Sequence, residues 1–171
     1  MEQISWKFVS TPEEGVSPSL HDCYVTRMEL VGKELCLFIP DGFKLMPEDP
    51  LNPYDEPHMT GPSQVIYTLF GDPQDAVTLE RFHTIYLHPI RLFHSAQLCT
   101  TVSRFGLKKL MKQINRGKWR LEFVSKYTHY SIGYLYECYI HTEKKIDRCY
   151  FMLDCRQTRF CWNEVQEEPA W

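Results

Sequence analysis

No stretch of this 171-residue chain approaches the roughly 18 consecutive apolar residues that a membrane-spanning helix needs. Charge of one sign is equally scarce. Nineteen Lys and Arg stand against 22 Asp and Glu, a net of −3, which exerts no long-range pull toward nucleic acid or an anionic bilayer. Neither a nucleic-acid nor a membrane partner is expected. Glycine is sparse at eight residues, and no Gly-x-x-x-x-Gly-Lys-Ser/Thr or Gly-x-Gly-x-x-Gly occurs, so there is no loop of the kind that cradles phosphate with backbone N–H groups. A Gly-x-Ser-x-Gly nucleophile turn is absent too. The seven cysteines include no Cys-x-x-Cys pair, the usual seed of a structural zinc site. His83, His88, His94, His129 and His141 show no paired ligand spacing. No metal or cofactor is expected. The opening Met1-Glu2-Gln3-Ile4-Ser5-Trp6 has no basic segment followed by an apolar one, so the expectation is a cytoplasmic protein with reduced, buried thiols.

What the chain does contain is aromatic: 14%, with ten Tyr and ten Phe, a composition that suits pleated surfaces. Ile4 to Val9 reads as a short strand. Val25 to Leu30 and Leu35 to Ile39 flank Gly32-Lys33 as a hairpin. The second run is apolar on both faces and so calls for a central or covered position. From Leu45 to Pro62 prolines alternate with acids, predicting a long loop. Val65 to Phe70 and Val77 to Leu87 read as further strands; Arg91 to Leu98 is ambiguous.

The spacing of Leu107, Leu110, Met111 and Ile114 predicts the one main helix, at about 103–116. Ser103 is its expected N-cap and Gly117 its left-handed end. The period then changes to two. Trp119, Leu121 and Phe123, then Tyr134, Tyr136, Cys138 and Ile140, then Cys149, Phe151 and Leu153 mark an antiparallel meander, with Phe160 to Val165 as a last short strand. The expected fold is α+β: a single domain over 1–171, with a mostly antiparallel, curved or barrel-like sheet and one helix packed on it.

Three groups are candidates for function. The proline-rich loop carries Glu48, Asp49, Asp55 and Glu56, whose charge can steer a basic protein partner. His21 and Asp22 form a possible polar site, although neighbours on a strand point to opposite faces and would not meet. Tyr130, Tyr134, Tyr136, Tyr139 and Tyr150 could line a cavity in the sheet, with His21 or His141 as acid or base. Lys108, Lys109, Lys112, Arg116, Lys118 and Arg120 form a basic cluster that reads as a solvated helix face.

The segment Leu20-His21-Asp22-Cys23-Tyr24-Val25, followed by Met28, Leu30, Gly32, Leu35 and Leu37, resembles the opening of a loose group of small β-rich bacterial proteins. Some of that group are regarded as immunity proteins of polymorphic toxin systems, and the resemblance covers the first hairpin. It implies a non-enzymatic protein that recognises a partner protein. The alternative is a small-molecule binder or enzyme with a tyrosine-lined site. Oligomeric state is left open by the sequence.

Overall fold

Period-two alternation organises most of the chain, and the computed structural model describes residues 5–12, 17–87, 97–129 and 133–170, with backbone alone for 83–87, 97–101 and 128–129. Tyr130, His88 and His94, and the side chains of His83, Cys99 and His129, therefore lie outside the described residues, as does most of Arg91 to Leu98. In chain order the elements are β1 (Phe8–Ser10), β2 (Tyr24–Val25), β3 (Arg27–Val31), β4 (Glu34–Ile39), β5 (Lys44–Leu45), β6 (His58–Thr60), β7 (Ser63–Leu69), α1 (Pro73–Ala76), β8 (Val77–Leu87), β9 (Gln97–Gly106), α2 (Leu107–Asn115), β10 (Arg120–His129), β11 (Gly133–His141), β12 (Ile146–Trp162) and β13 (Val165–Pro169).

Ten strands form one sheet along the path β2-β10-β11-β12-β7-β4-β3, with β1 and β8 also on β12 and β9 on β8. A small second sheet runs β13-β6-β5. The large sheet is mostly antiparallel and is not closed into a barrel. Its two path ends, β2 and β3, lie end to end in the chain around Thr26, whose N–H donates to Phe38 O at 3.2 Å.

The 17-residue strand β12 joins the two halves of this sheet. Residues 146–154 pair with β11 and residues 155–161 with β7. The sequence suggests two runs here, Ile146 to Cys155 and Phe160 to Val165, and in the structure most of their buried positions have opposite parity. The structure makes them one strand, with a register shift between Cys155 and Gln157. An extra residue at such a bulge flips the inward parity without ending the strand. Across the resulting fold, Tyr67 on β7 and Tyr136 on β11 meet hydroxyl to hydroxyl at 2.9 Å, and both are buried. Beyond Arg81, β8 pairs with β9 alone among the described residues.

β4 lies between β3 and β7, which accounts for its two apolar faces. The hairpin turns at Gly32, whose φ of 60° favours glycine. Gly42, at φ 79°, takes the chain from β4 into β5 so close to the Thr60 carbonyl that a Cβ would lie 2.0 Å from that oxygen.

The helix starts four residues later than its pattern predicts. Ser103 belongs to β9, paired with Arg81, and the N-cap position is Gly106, with no side-chain cap. Strand pairing already satisfies the 103–106 backbone, so the capping hydroxyl is not needed there. The expected stripe is otherwise in place, with Leu107, Leu110 and Ile114 buried, and Gly117 at φ 67° donates to Ile114 O at 2.8 Å. At the helix end Asn115 acts like a short piece of strand for β3. Its Oδ1 accepts from Met28 N at 2.8 Å, and its Nδ2 donates to Met28 O at 2.7 Å. Asn115→Ala leaves both backbone groups without these partners, and a loss of about 1–3 kcal/mol is expected in urea unfolding. An unchanged midpoint would remove this clamp from the account of how α2 is held.

Candidate functional site

Prolines at 47, 50, 53 and 57 deny the 46–57 segment regular pairing, yet side chains hold it in shape. Asn52 Nδ2 donates to the carbonyls of Leu45 at 3.3 Å, Met46 at 3.1 Å and Glu56 at 2.9 Å, and its Oδ1 accepts from Tyr54 N at 3.1 Å. Asp49 is 3% exposed. Its carboxylate accepts from Leu51 N at 2.9 Å and its own N–H donates to Met46 O at 3.0 Å. The expected partner-facing role of Asp49 is thus replaced by a local one, since an aspartate that satisfies backbone donors two residues on stays inside its turn. Glu48, Asp55 and Glu56 are exposed. The predicted loop also ends sooner than Pro62, because His58–Thr60 forms β6.

Strand β13 completes this surface. Tyr54 stacks on His58 with ring centroids 3.9 Å apart, and His58 Nδ1 lies 2.8 Å from Gln166 O. Ala170 N donates to Pro57 O at 2.7 Å. Exposed Glu164, Glu167 and Glu168 are thereby carried alongside the loop. Residues 46–60 and 163–170 together hold seven acids and no Lys or Arg; the other 148 residues hold 15 acids and 19 bases, a charge of +4. A modest net charge therefore conceals a strong asymmetry. Beside the acids opens a groove of about 500 Å³ whose apolar floor includes Phe8, Leu51, Pro53, Tyr54 and Val165. Sequence reading missed the β13 acids. Their only signal was a short acidic run, and nothing local indicates that it folds back on β6.

His21 and Asp22 do meet, contrary to the opposite-face expectation. They sit in a turn, not a strand, and Asp22 takes φ 63°, a left-handed conformation that aspartate tolerates better than most residues. His21 Nδ1 lies 2.8 Å from Asp22 Oδ2, and Lys44 Nζ 3.7 Å from the same oxygen. Asp22 N also donates to Phe123 O at 2.9 Å, which fastens the turn to β10. A second histidine–carboxylate pair joins His141 Nε2 to Glu122.

Among the described residues the candidate tyrosines do not line one common cavity: Tyr136 lines one and Tyr134 another. Tyr134 and Tyr136 share the inner face of β11 with Tyr67, whereas Tyr139 falls in the opposite parity. Tyr150 packs edge-on against Phe82 and accepts a hydrogen bond from Arg148. Lys108, Lys109, Lys112, Arg116, Lys118 and Arg120 are all exposed. Cys23, Cys36, Cys138, Cys149, Cys155 and Cys161 are free and buried. Among the described residues no three His, Cys, Asp or Glu side chains gather as a metal-holding group, and no helix is long and apolar enough to cross a membrane. No family model, no curated protein and no solved structure matches this chain.

Proposed function

We propose that this chain is a non-enzymatic cytoplasmic binding protein that captures a basic protein partner on its acidic, proline-rich face. One observation carries the reading: two distant segments that together expose six carboxylates also line an apolar groove, with Glu164 and Lys7 at its edge, and Asn52 and Asp49 hold the loop in shape. Clustered charge speeds encounter with an oppositely charged surface, and exposed apolar side chains supply the contact that retains it. A loop ordered in advance also loses less entropy on binding. Buried free thiols suit a reducing compartment. An immunity-type role in a bacterium, with a basic toxin such as a nuclease as the partner, is the specific form that the first-hairpin resemblance favours.

The test is a photo-crosslinking residue at Tyr54 in the protein's own cells, with one at exposed Val31 on β3 as control. A basic protein captured from Tyr54 and not from Val31 is expected. Replacing Glu48, Asp55, Glu56, Glu164, Glu167 and Glu168 by their amides should then slow association with that partner at least tenfold at low salt, and the difference should fade at high salt. Equal capture from both positions, or an unaltered association rate, would defeat the proposal.

A further inference from the structure

We infer that a cavity beside a bulge in β10 is a binding site for a small apolar monocarboxylate, with Lys126 as its charge partner. The inference is independent of the acidic face and rests on four features of β10 and its surroundings.

First, β10 changes register against β11 between Phe123 and Ser125, leaving Val124 as the extra residue. Bulges disrupt a ladder locally and re-aim side chains, and they recur beside binding sites. Second, the other side of β10 loses its partner strand at the same place. β2 pairs with Leu121 and Glu122, and the 22–23 turn bonds Phe123, but residues 17–21 then separate from β10. The gap is a cavity of about 290 Å³, at the small end of ligand sites.

Third, the lining is divided by chemistry. Leu20, Phe123, Tyr136 and Phe160 provide apolar surface, while Ser17, Ser125 and Lys126 provide polar groups, and among the described residues no Asp or Glu lines the cavity. The Tyr136 hydroxyl is already engaged by Tyr67. Fourth, among the described residues no carboxylate lies within ion-pair distance of Lys126. Its Nζ is 3.5 Å from Ser17 Oγ and 4.3 Å from the centre of the Tyr134 ring. Lys126 is exposed at its solvent side, and the partial desolvation of its side chain against the cavity wall lowers its pKa from the ordinary lysine value.

A single cation with neighbouring hydroxyls, set against apolar walls, is matched by one carboxylate on a hydrophobic body. A phosphate dianion would call for more donors than these, and a neutral ligand would leave the charge of Lys126 to solvent alone. His21 also lines the cavity, so its pairing with Asp22 holds the imidazole in place at this site.

The experiment is an amide NMR titration of the whole chain with benzoate, benzamide and inorganic phosphate as probes. Benzoate should move the amides of Leu20, Val124, Ser125 and Lys126 saturably. Benzamide, with the same ring and no charge, should bind at least tenfold more weakly, and phosphate more weakly than benzoate. Lys126→Met should lower benzoate affinity about tenfold, and Lys126→Arg should retain most of it. No saturable shift with benzoate, equal binding of benzamide, tighter binding of phosphate, or unchanged affinity in Lys126→Met would each overturn the inference. The comparison of benzoate with benzamide on the unaltered protein decides the matter even if a variant folds poorly.

Discussion

Arg81→Met is expected to destabilise the protein by about 3–5 kcal/mol, the range seen when one partner of a buried ion pair is removed. Arg81 on β8 donates through Nε to Asp147 Oδ2 on β12 at 2.8 Å, and a second hydrogen bond runs from Nη2. Both side chains are about 10% exposed or less. The guanidinium also lies 5.2 Å from the centre of the Trp119 ring, so it links β8, β12 and the residue just before β10. Burial alone would push the Asp147 carboxyl up, but hydrogen bonds from Arg81 and Lys145 outweigh it and hold the group below the ordinary aspartate range. Because its folded pKa is depressed, this carboxylate stabilises the fold above the unfolded value of 3.8, and that contribution is lost as pH falls through the folded value. Urea unfolding at neutral pH measures the main effect. Arg81→Met together with Asp147→Leu should recover most of the loss, since the buried carboxylate that has lost its guanidinium is then gone. A single-variant cost below about 1 kcal/mol, the range of exposed pairs, would show that water reaches this pair after all.

Alkaline pH should destabilise the protein steeply from about pH 9 upward. Burial pushes the thiol of Cys23 up to about 12, and those of Cys36 and Cys155 to about 11, from an ordinary 9.0. Cys138, buried against Cys149, is raised as well. Burial likewise raises the phenols of Tyr67 and Tyr136. Each of these groups keeps its proton in the folded chain after the unfolded chain has lost it. Rising pH above about 9 therefore favours unfolding by about 1.4 kcal/mol per pH unit for every such group. Three thiols acting together give a slope of about 4 kcal/mol per unit, enough to exhaust a typical stability of about 5–15 kcal/mol within a few units. Stability should be flat from pH 7 to about 8.5 and then fall steeply. Urea midpoints across that range check it, alongside iodoacetamide labelling, which should be slow in buffer and complete in urea. A flat profile to about pH 11 would mean that the thiols are not desolvated as described.

The helix stripe of Leu107, Leu110 and Ile114, the Gly32 hairpin and the alternation of Tyr136, Cys138 and Ile140 are legible in the chain because each expresses a period within a dozen residues. Burial follows the same period, so much of the core was readable from those patterns. The tertiary structure decided what depends on partners distant in sequence. It moved the helix start from Ser103 to Leu107, because β8 claims the 103–106 backbone as strand. It fused two apolar runs into β12, because β7 and β11 hold the two halves of one strand. It turned Asp49 inward, and it brought His21 and Asp22 together through a left-handed residue that no alternation pattern marks. The same holds for the two surfaces with functional proposals. The acids of the proline-rich loop are plain in the sequence, but their union with Glu164, Glu167 and Glu168 requires β13 to pair with β6. Lys126 reads as one more strand residue until the bulge and the 17–21 turn leave a cavity beside it. Periodicity is a local property and determines elements; registers, bulges and charge asymmetry are set by which strands meet, and only the folded chain specifies that.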